Sequence, residues 1–157
     1  MSNQEDIFRI TYSYYLNEMQ SVLLDRIDKL ISFLLIVLGS SVMASGFNLF
    51  ITGLFIASLS AFQFIYQPGK ASYLANSRAK QYLSLKINAE SQKLNDEEVH
   101  KQLSDLLQSD ISTFGTLCNP AFKRASIQLK LEDDTELSKP ESFVAWVAGD
   151  LPISQRN

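Results

Sequence analysis

Between Lys29 and Lys70 the chain carries no Asp, Glu, Lys or Arg, so residues 30 to 69 form a run of 40 without an ionised side chain. In a soluble protein a helix normally shows a charged or polar face to water, and a run this long has none to show. Crossing about 30 Å of hydrocarbon takes about 20 apolar residues at 1.5 Å of rise each. Residues 30–45 and 49–66 are each close to that length, and Gly46-Phe47-Asn48 between them suits a tight turn. Phe62 and Tyr66 stand near the end of the second segment, where aromatic rings favour the headgroup zone. Gln67-Pro68-Gly69 then breaks the helix. The pattern predicts an all-α membrane protein built on a two-transmembrane helical hairpin, with long cytosolic helical extensions.

Orientation follows from Lys and Arg beside the spans. Arg26 and Lys29 precede the first, while Lys70, Arg78 and Lys80 follow the second, and the turn has none. Both termini are therefore expected in the cytosol, with these five basic side chains at the lipid headgroups. Val42-Met43-Ala44 before Ser45 has the form of a signal-peptidase site. The segment ahead of it is too long for a signal peptide and contains Glu5, Asp6, Glu18, Asp25 and Asp28, so cleavage is not expected.

Within the second segment Gly53, Ala57 and Ala61 recur every four residues, which sets three small side chains on one helical face. Small residues let backbones approach closely, and close packing is what joins helices in lipid. Ser40, Ser41, Asn48, Thr52 and Gln63 have two readings. They bond helix to helix or back to their own helix, or they line a water-filled path in an oligomer. No ionisable residue lies in either span, so proton relays and voltage sensing lack their usual marker.

The flanks divide into residues 1–29, 70–129 and 130–157, around the hairpin at 30–66. Residues 3–29 contain no Gly or Pro and read as a helix running on into the first span, with Tyr12, Tyr14 and Tyr15 expected in helix packing or at the membrane surface. Within 70–129, Ala71, Ala75, Arg78, Tyr82, Leu85 and Ala89 keep the spacing of a helix packed along a partner. Asn95 and Glu98 have the form of a capping box, opening a helix with Val99, Leu103, Leu106 and Leu107 on one stripe. Asn119-Pro120 opens another, carrying Phe122, Ala125 and Leu129. After the acidic linker at Glu132 to Glu136, Ser138 to Glu141 looks like an N-cap for a short helix that ends at Gly149. From residue 94 onward eleven acidic residues face six basic ones, against one and five in residues 70–93. The tail could therefore dock on the basic helix of its own or a neighbouring chain, or stay solvated.

A net charge of −3 and a pI near 5.1 argue against nucleic-acid binding, which needs a basic face. Cys118 is the single cysteine, so no intrachain disulfide can form, and it is expected as a small buried apolar residue. His100, the single histidine, falls off the apolar stripe and reads as a surface residue, with no metal-ligand spacing around it. There is no phosphate loop, nucleophile elbow or Cys/His pair, and the carboxylates sit in caps and linkers. No catalytic residue, cofactor or metal site is expected, and the chain does not read as an enzyme.

The layout resembles a known family. A tyrosine-rich leading helix ending in Arg26-Ile27-Asp28-Lys29, a two-helix hairpin, the segment Ala71 to Leu83 and Leu117-Cys118-Asn119-Pro120-Ala121-Phe122 look like the bacterial two-transmembrane effector domains called SLATT. The similarity covers about residues 5–129. It implies a homo-oligomeric effector of the bacterial inner membrane that disrupts or permeabilises the membrane in anti-phage, abortive-infection defence. A nucleotide-second-messenger synthase or a reverse transcriptase is the partner it implies. Two other readings stay open from the residues: a membrane anchor or scaffold for a partner enzyme, and a prophage protein of the superinfection-exclusion or holin-like kind.

Overall fold

A computed structural model describes residues 2–41, 48–108 and 113–152, and all regular structure among them is helical. Helix α1 spans Ser2–Ser41, α2 Leu49–Tyr66, α3 Pro68–Glu90, α4 Asp96–Gln108, α5 Cys118–Gln128 and α6 Lys139–Val147. A 3-10 turn at Gly115–Leu117 leads into α5. With no Gly or Pro before Gly39, α1 runs unbroken for 40 residues, about 60 Å.

That helix is the spine, and α2 and α3 run back along it. Between them lies one residue: Gln67, in the left-handed region at φ 44°, ends α2 and precedes Pro68, the first residue of α3. The break predicted from Gln67-Pro68-Gly69 is thus a joint and not a loop. At this joint α1 comes close, because a Cβ on Gly69 would stand 3.0 Å from Asp28 Oδ2. Lower down, Ser72, Ala75 and Ala79 are buried against α1, their small side chains letting the two helices approach, and Ser72 Oγ donates to the Ser21 carbonyl at 2.9 Å.

The lower half of α1 is covered on two sides. On one, Ile10 packs with Tyr82 and Leu85 of α3 and with Val99 and Leu103 of α4. On the other, Leu16 and Met19 pack with Leu117, Ala121 and Ala148. Phe122 of α5 meets Phe8 edge-on at 5.1 Å and Tyr12 at 6.5 Å. Tyr12, Tyr14 and Tyr15 are packing residues, and burial raises all three phenols: Tyr12 most, in contact with Cys118, and Tyr14 to about 12.

Both capping boxes form. Asn95 Oδ1 accepts from the Glu98 amide at 2.8 Å and Glu98 accepts from the Asn95 amide at 3.1 Å. Glu141 accepts from the Ser138 amide and hydroxyl, and also from Asn119 Nδ2 at 2.7 Å, which ties α6 to the start of α5. α6 closes on a Schellman turn, with Gly149 at φ 87°, its amide donating to Trp146 O and that of Asp150 to Ala145 O. α3 and α5 end in the same way on Gln92 and Lys130, both at positive φ.

Of the segment from residue 94 onward, α4 packs on α3, while the part after it packs elsewhere in the chain. α6 packs on α1, α5 and the 3-10 turn instead of on α3. Arg26 Nη1 donates to the Val147 carbonyl at 2.7 Å, and Arg124 pairs with Asp150 at 2.9 Å. The acidic linker is likewise tied down, since Lys123 Nζ donates to the Thr135 carbonyl at 2.7 Å.

Candidate functional site

Above Asp28 the pattern of burial inverts. Ile36 is 68% exposed on α1, Phe50 79% and Phe64 80% on α2, and most of the large apolar residues around them are exposed as well. Together, Leu30 to Val37 and Leu49 to Ile65 place thirteen exposed Leu, Ile, Val and Phe side chains in one band around two adjacent helices. The helix beginning at Leu49 is long and apolar enough to cross a membrane, with a stretch of mean hydropathy 1.8 of which 6% is buried in the chain. The uncharged part of α1 within the described residues is 30–41, about 18 Å, and residues 42–45 of the first expected span lie outside them.

Gln63, Thr52, Asn48, Ser40 and Ser58 of the hairpin face inward or are satisfied locally. Gln63 Nε2 donates to Ser32 Oγ at 3.2 Å and to Asp28 Oδ1 at 3.3 Å, joining α2 to α1. Thr52 is buried. Asn48 caps α2, its Oδ1 accepting from the Phe50 amide at 3.1 Å and from the Ile51 amide at 3.5 Å. Ser40 Oγ and Ser58 Oγ each donate back to the carbonyl four residues earlier, at 2.8 Å. The side chain of Ser41 and the turn residues Gly46 and Phe47 lie outside the described residues.

The small-residue stripe occupies the other side of α2. The more buried positions there are Thr52, Ile56, Leu59 and Gln63, whereas Gly53, Ala57 and Ala61 are exposed. A Cβ built on Gly53 would meet nothing within 4 Å. The stripe does not join α2 to α1; it is open.

The basic residues named for topology separate into two kinds. Arg26 is bound to the end of α6, Lys29 pairs with Asp25 at 2.6 Å, and Arg78 donates to Gln81 at 3.2 Å. Lys70 and Lys80 are exposed on α3. His100 is exposed, as its position off the stripe predicts, but its Nδ1 lies 3.2 Å from Oδ2 of the buried Asp6 and ties α4 to α1. Sequence spacing carried no signal for that pair, 94 residues apart. Cys118 is a half-buried free thiol against the Leu16–Met19 cluster. Among the described residues no group of three or more His, Cys, Asp or Glu could hold a metal ion. No protein-family model, curated protein or solved structure matches the chain.

Proposed function

We propose that this chain is a two-span protein of the bacterial inner membrane, both termini cytosolic, which oligomerises and disrupts or permeabilises the membrane on a signal from a partner. The exposed apolar band carries the reading. Burying a Leu, Ile, Val or Phe fully is worth about 1.5–3 kcal/mol, so thirteen of them, each partly exposed, cost on the order of 10 kcal/mol in water. That sum matches the whole stability of a typical domain, about 5–15 kcal/mol. Hydrocarbon removes the cost, and residues 30–45 and 49–66 have the length to lie in it. Oligomerisation is supported by the two-sided use of α2: one side takes α1, and the Gly53/Ala57/Ala61 side is left for a second copy. The resemblance to SLATT effectors supplies the setting, anti-phage defence beside a nucleotide-second-messenger synthase or reverse transcriptase. Bacteria expressing the intact protein with its partner are expected to depolarise during infection. An inserted protein that leaves the membrane potential unchanged under those conditions refutes the effector reading.

One observation favours a second reading, a membrane anchor for a partner enzyme. Gln63, Asn48, Ser40 and Ser58 all have hydrogen-bond partners within the chain, which leaves fewer polar groups to line a water path. Replacing both spans by unrelated ones separates the two: an anchor keeps its activity and an effector loses it.

A further inference from the structure

From Pro68 to Ala89, α3 carries no carboxylate. Lys70, Tyr73, Ser77 and Lys80 follow one another at spacings of three and four, so they share one face of the helix. Lys70, Tyr73 and Lys80 are exposed on it, Tyr73 by 73%. The opposite side of α3 is the one that turns Ser72, Ala75 and Ala79 to α1. No carboxylate of the described residues pairs with either lysine.

The complementary charge lies on the linker between α5 and α6. Residues 131–138 hold four carboxylates and no cation. Exposure alternates along this non-helical segment: Glu132, Asp134 and Glu136 are exposed, while Asp133, Thr135 and Leu137 are partly covered. Asp133 accepts from the Thr135 amide at 2.8 Å, and Lys123, which reaches the segment, is spent on the Thr135 carbonyl. The three outward carboxylates therefore have no cation of their own. Alternate residues of an extended chain stand about 6.8 Å apart, so Glu132 to Glu136 spans about 13 Å. Lys70 to Lys80 on a helix spans about 15 Å. Each face also offers apolar surface, Tyr73 between the lysines and Leu131, 52% exposed, beside Glu132.

Within one chain the two faces do not meet. α3 packs on α1 and α4, whereas α5 and α6 pack on α1, the 3-10 turn and each other. The linker is pinned to α5 through Lys123 and, just beyond its end, through Asn119 and Glu141. Their heights on the spine nevertheless overlap. Ser72 bonds to Ser21 and Tyr82 packs on Ile10, so Tyr73 to Lys80 runs beside Thr11 to Ser21. α5, which holds the linker, meets Phe8 and Tyr12 through Phe122, and Leu16 and Met19 through Ala121. Two copies inserted side by side at one depth therefore set the basic face of one level with the acidic linker of the other.

We propose that the Lys70–Lys80 face of α3 receives the Glu132–Glu136 linker of a second copy of this chain, as the cytosolic contact of the oligomer. The proposal rests on the two-span, oligomeric reading and gives it a head-to-tail interface. The two surfaces differ, so each copy has a neighbour on either side, and such contacts close into a ring where the rotation between copies allows it. Exposed ion pairs are individually weak and screened by salt. Several acting together, between copies already confined to one membrane, gain from the raised effective concentration.

The test mixes nitrogen-14 and nitrogen-15 full-length protein in vesicles of phosphatidylcholine and phosphatidylglycerol. A carbodiimide then joins carboxylates to amines in direct contact, and mass spectrometry identifies the linked peptides. Energy transfer between labelled copies measures association, and flotation of the vesicles measures insertion. The expected result is mixed-isotope peptides linking Lys70 or Lys80 to Glu132, Asp134 or Glu136. K70E/K80E and E132K/D134K/E136K should each weaken association about fivefold, and combining them should restore it. Copies that associate without such peptides overturn this contact and leave the oligomeric reading standing. Peptides of one isotope only also overturn it, placing the contact within a chain. A loss in K70E/K80E that the linker reversal does not rescue, and that vanishes without phosphatidylglycerol, overturns it by assigning the lysines to lipid. Inserted copies that show no energy transfer overturn both this contact and the oligomer.

Discussion

Replacing Gln63 by Leu separates its two readings, because a seam residue and a pore-lining residue fail in different ways. In the structure its amide bridges Ser32 and Asp28 at 3.2 and 3.3 Å, both on α1. Hydrogen bonds between helices in a bilayer average about 0.6 kcal/mol and reach about 1.7. A charged acceptor raises the value, and a distance beyond 3.2 Å lowers it. The Gln63–Asp28 coupling should therefore be about 1 kcal/mol, roughly a fivefold change in the folded-to-unfolded ratio. The assay is a double-mutant cycle of Q63L, D28N and both together, unfolded by SDS titration in bicelles. Q63L is expected to destabilise the hairpin, and the double variant to cost less than the sum of the singles. Coupling below about 0.3 kcal/mol, the ordinary error of additivity, refutes the seam. A Q63L protein of unchanged stability but altered ion flux in vesicles assigns Gln63 to a water path instead.

Leu103, 2% exposed between α4 and the spine, should cost about 2–5 kcal/mol when cut to Ala, seen as a lowered unfolding midpoint. Lys130 ends α5 at φ 54°, a conformation that penalises a side chain by about 1–2 kcal/mol, so K130G should raise stability by about 1 kcal/mol in the same assay. A57L on the open stripe should leave the stability of the chain within about 0.5 kcal/mol while reducing cross-linking between copies in lipid. Ser138, through its hydroxyl and then its amide, holds the Glu141 carboxyl below its ordinary 4.5. Because the folded value is the lower one, this stabilisation is present above pH 4.5 and is lost as pH falls through the folded value. Trp146 emission should report loosening of α6 in that acid window, and E141Q should abolish the step.

Local signals were legible because they act over three or four residues. Asn95 with Glu98, Ser138 with Glu141, and the run without Gly or Pro before Gly39 each declare a helix boundary or its absence. What stayed hidden was contact between distant segments. The α6 dock runs through a backbone carbonyl, Val147 O, which no side-chain pattern announces, and the His100–Asp6 pair joins residues with no shared period. Charge counting left the place of the tail open, and two of its groups find partners on α5, Asp150 with Arg124 and the linker carbonyl of Thr135 with Lys123. The Gly53, Ala57 and Ala61 spacing marked a packing face but not its partner; the α1-facing stripe starts one residue earlier, at Thr52.

The joint between α2 and α3 is where the two halves of the molecule exchange their rules. Below it Ile10, Tyr82, Leu85 and Leu103 are inside and most charges, Asp6 and Lys86 apart, are outside; above it Phe33, Phe50 and Phe64 are outside and Gln63 bonds inward. Asp28 stands at the crossing, beside Gly69 in the first turn of α3, where a helix N-terminus favours a carboxylate by about 0.3–1 kcal/mol. An Asp at this point gains from both sides, accepting from Gln63 above and lying against the positive end of the α3 dipole below. Deeper in the apolar band the same carboxylate would carry a desolvation cost of about 2.5–3.5 kcal/mol, and lower on α1 it would lose the helix end. On the two-span proposal, the height of Asp28 then sets how far the hairpin sinks, and moving the carboxylate one turn up, to Ser32, should shift the inserted length where exchanging the exposed charges of α4 should not.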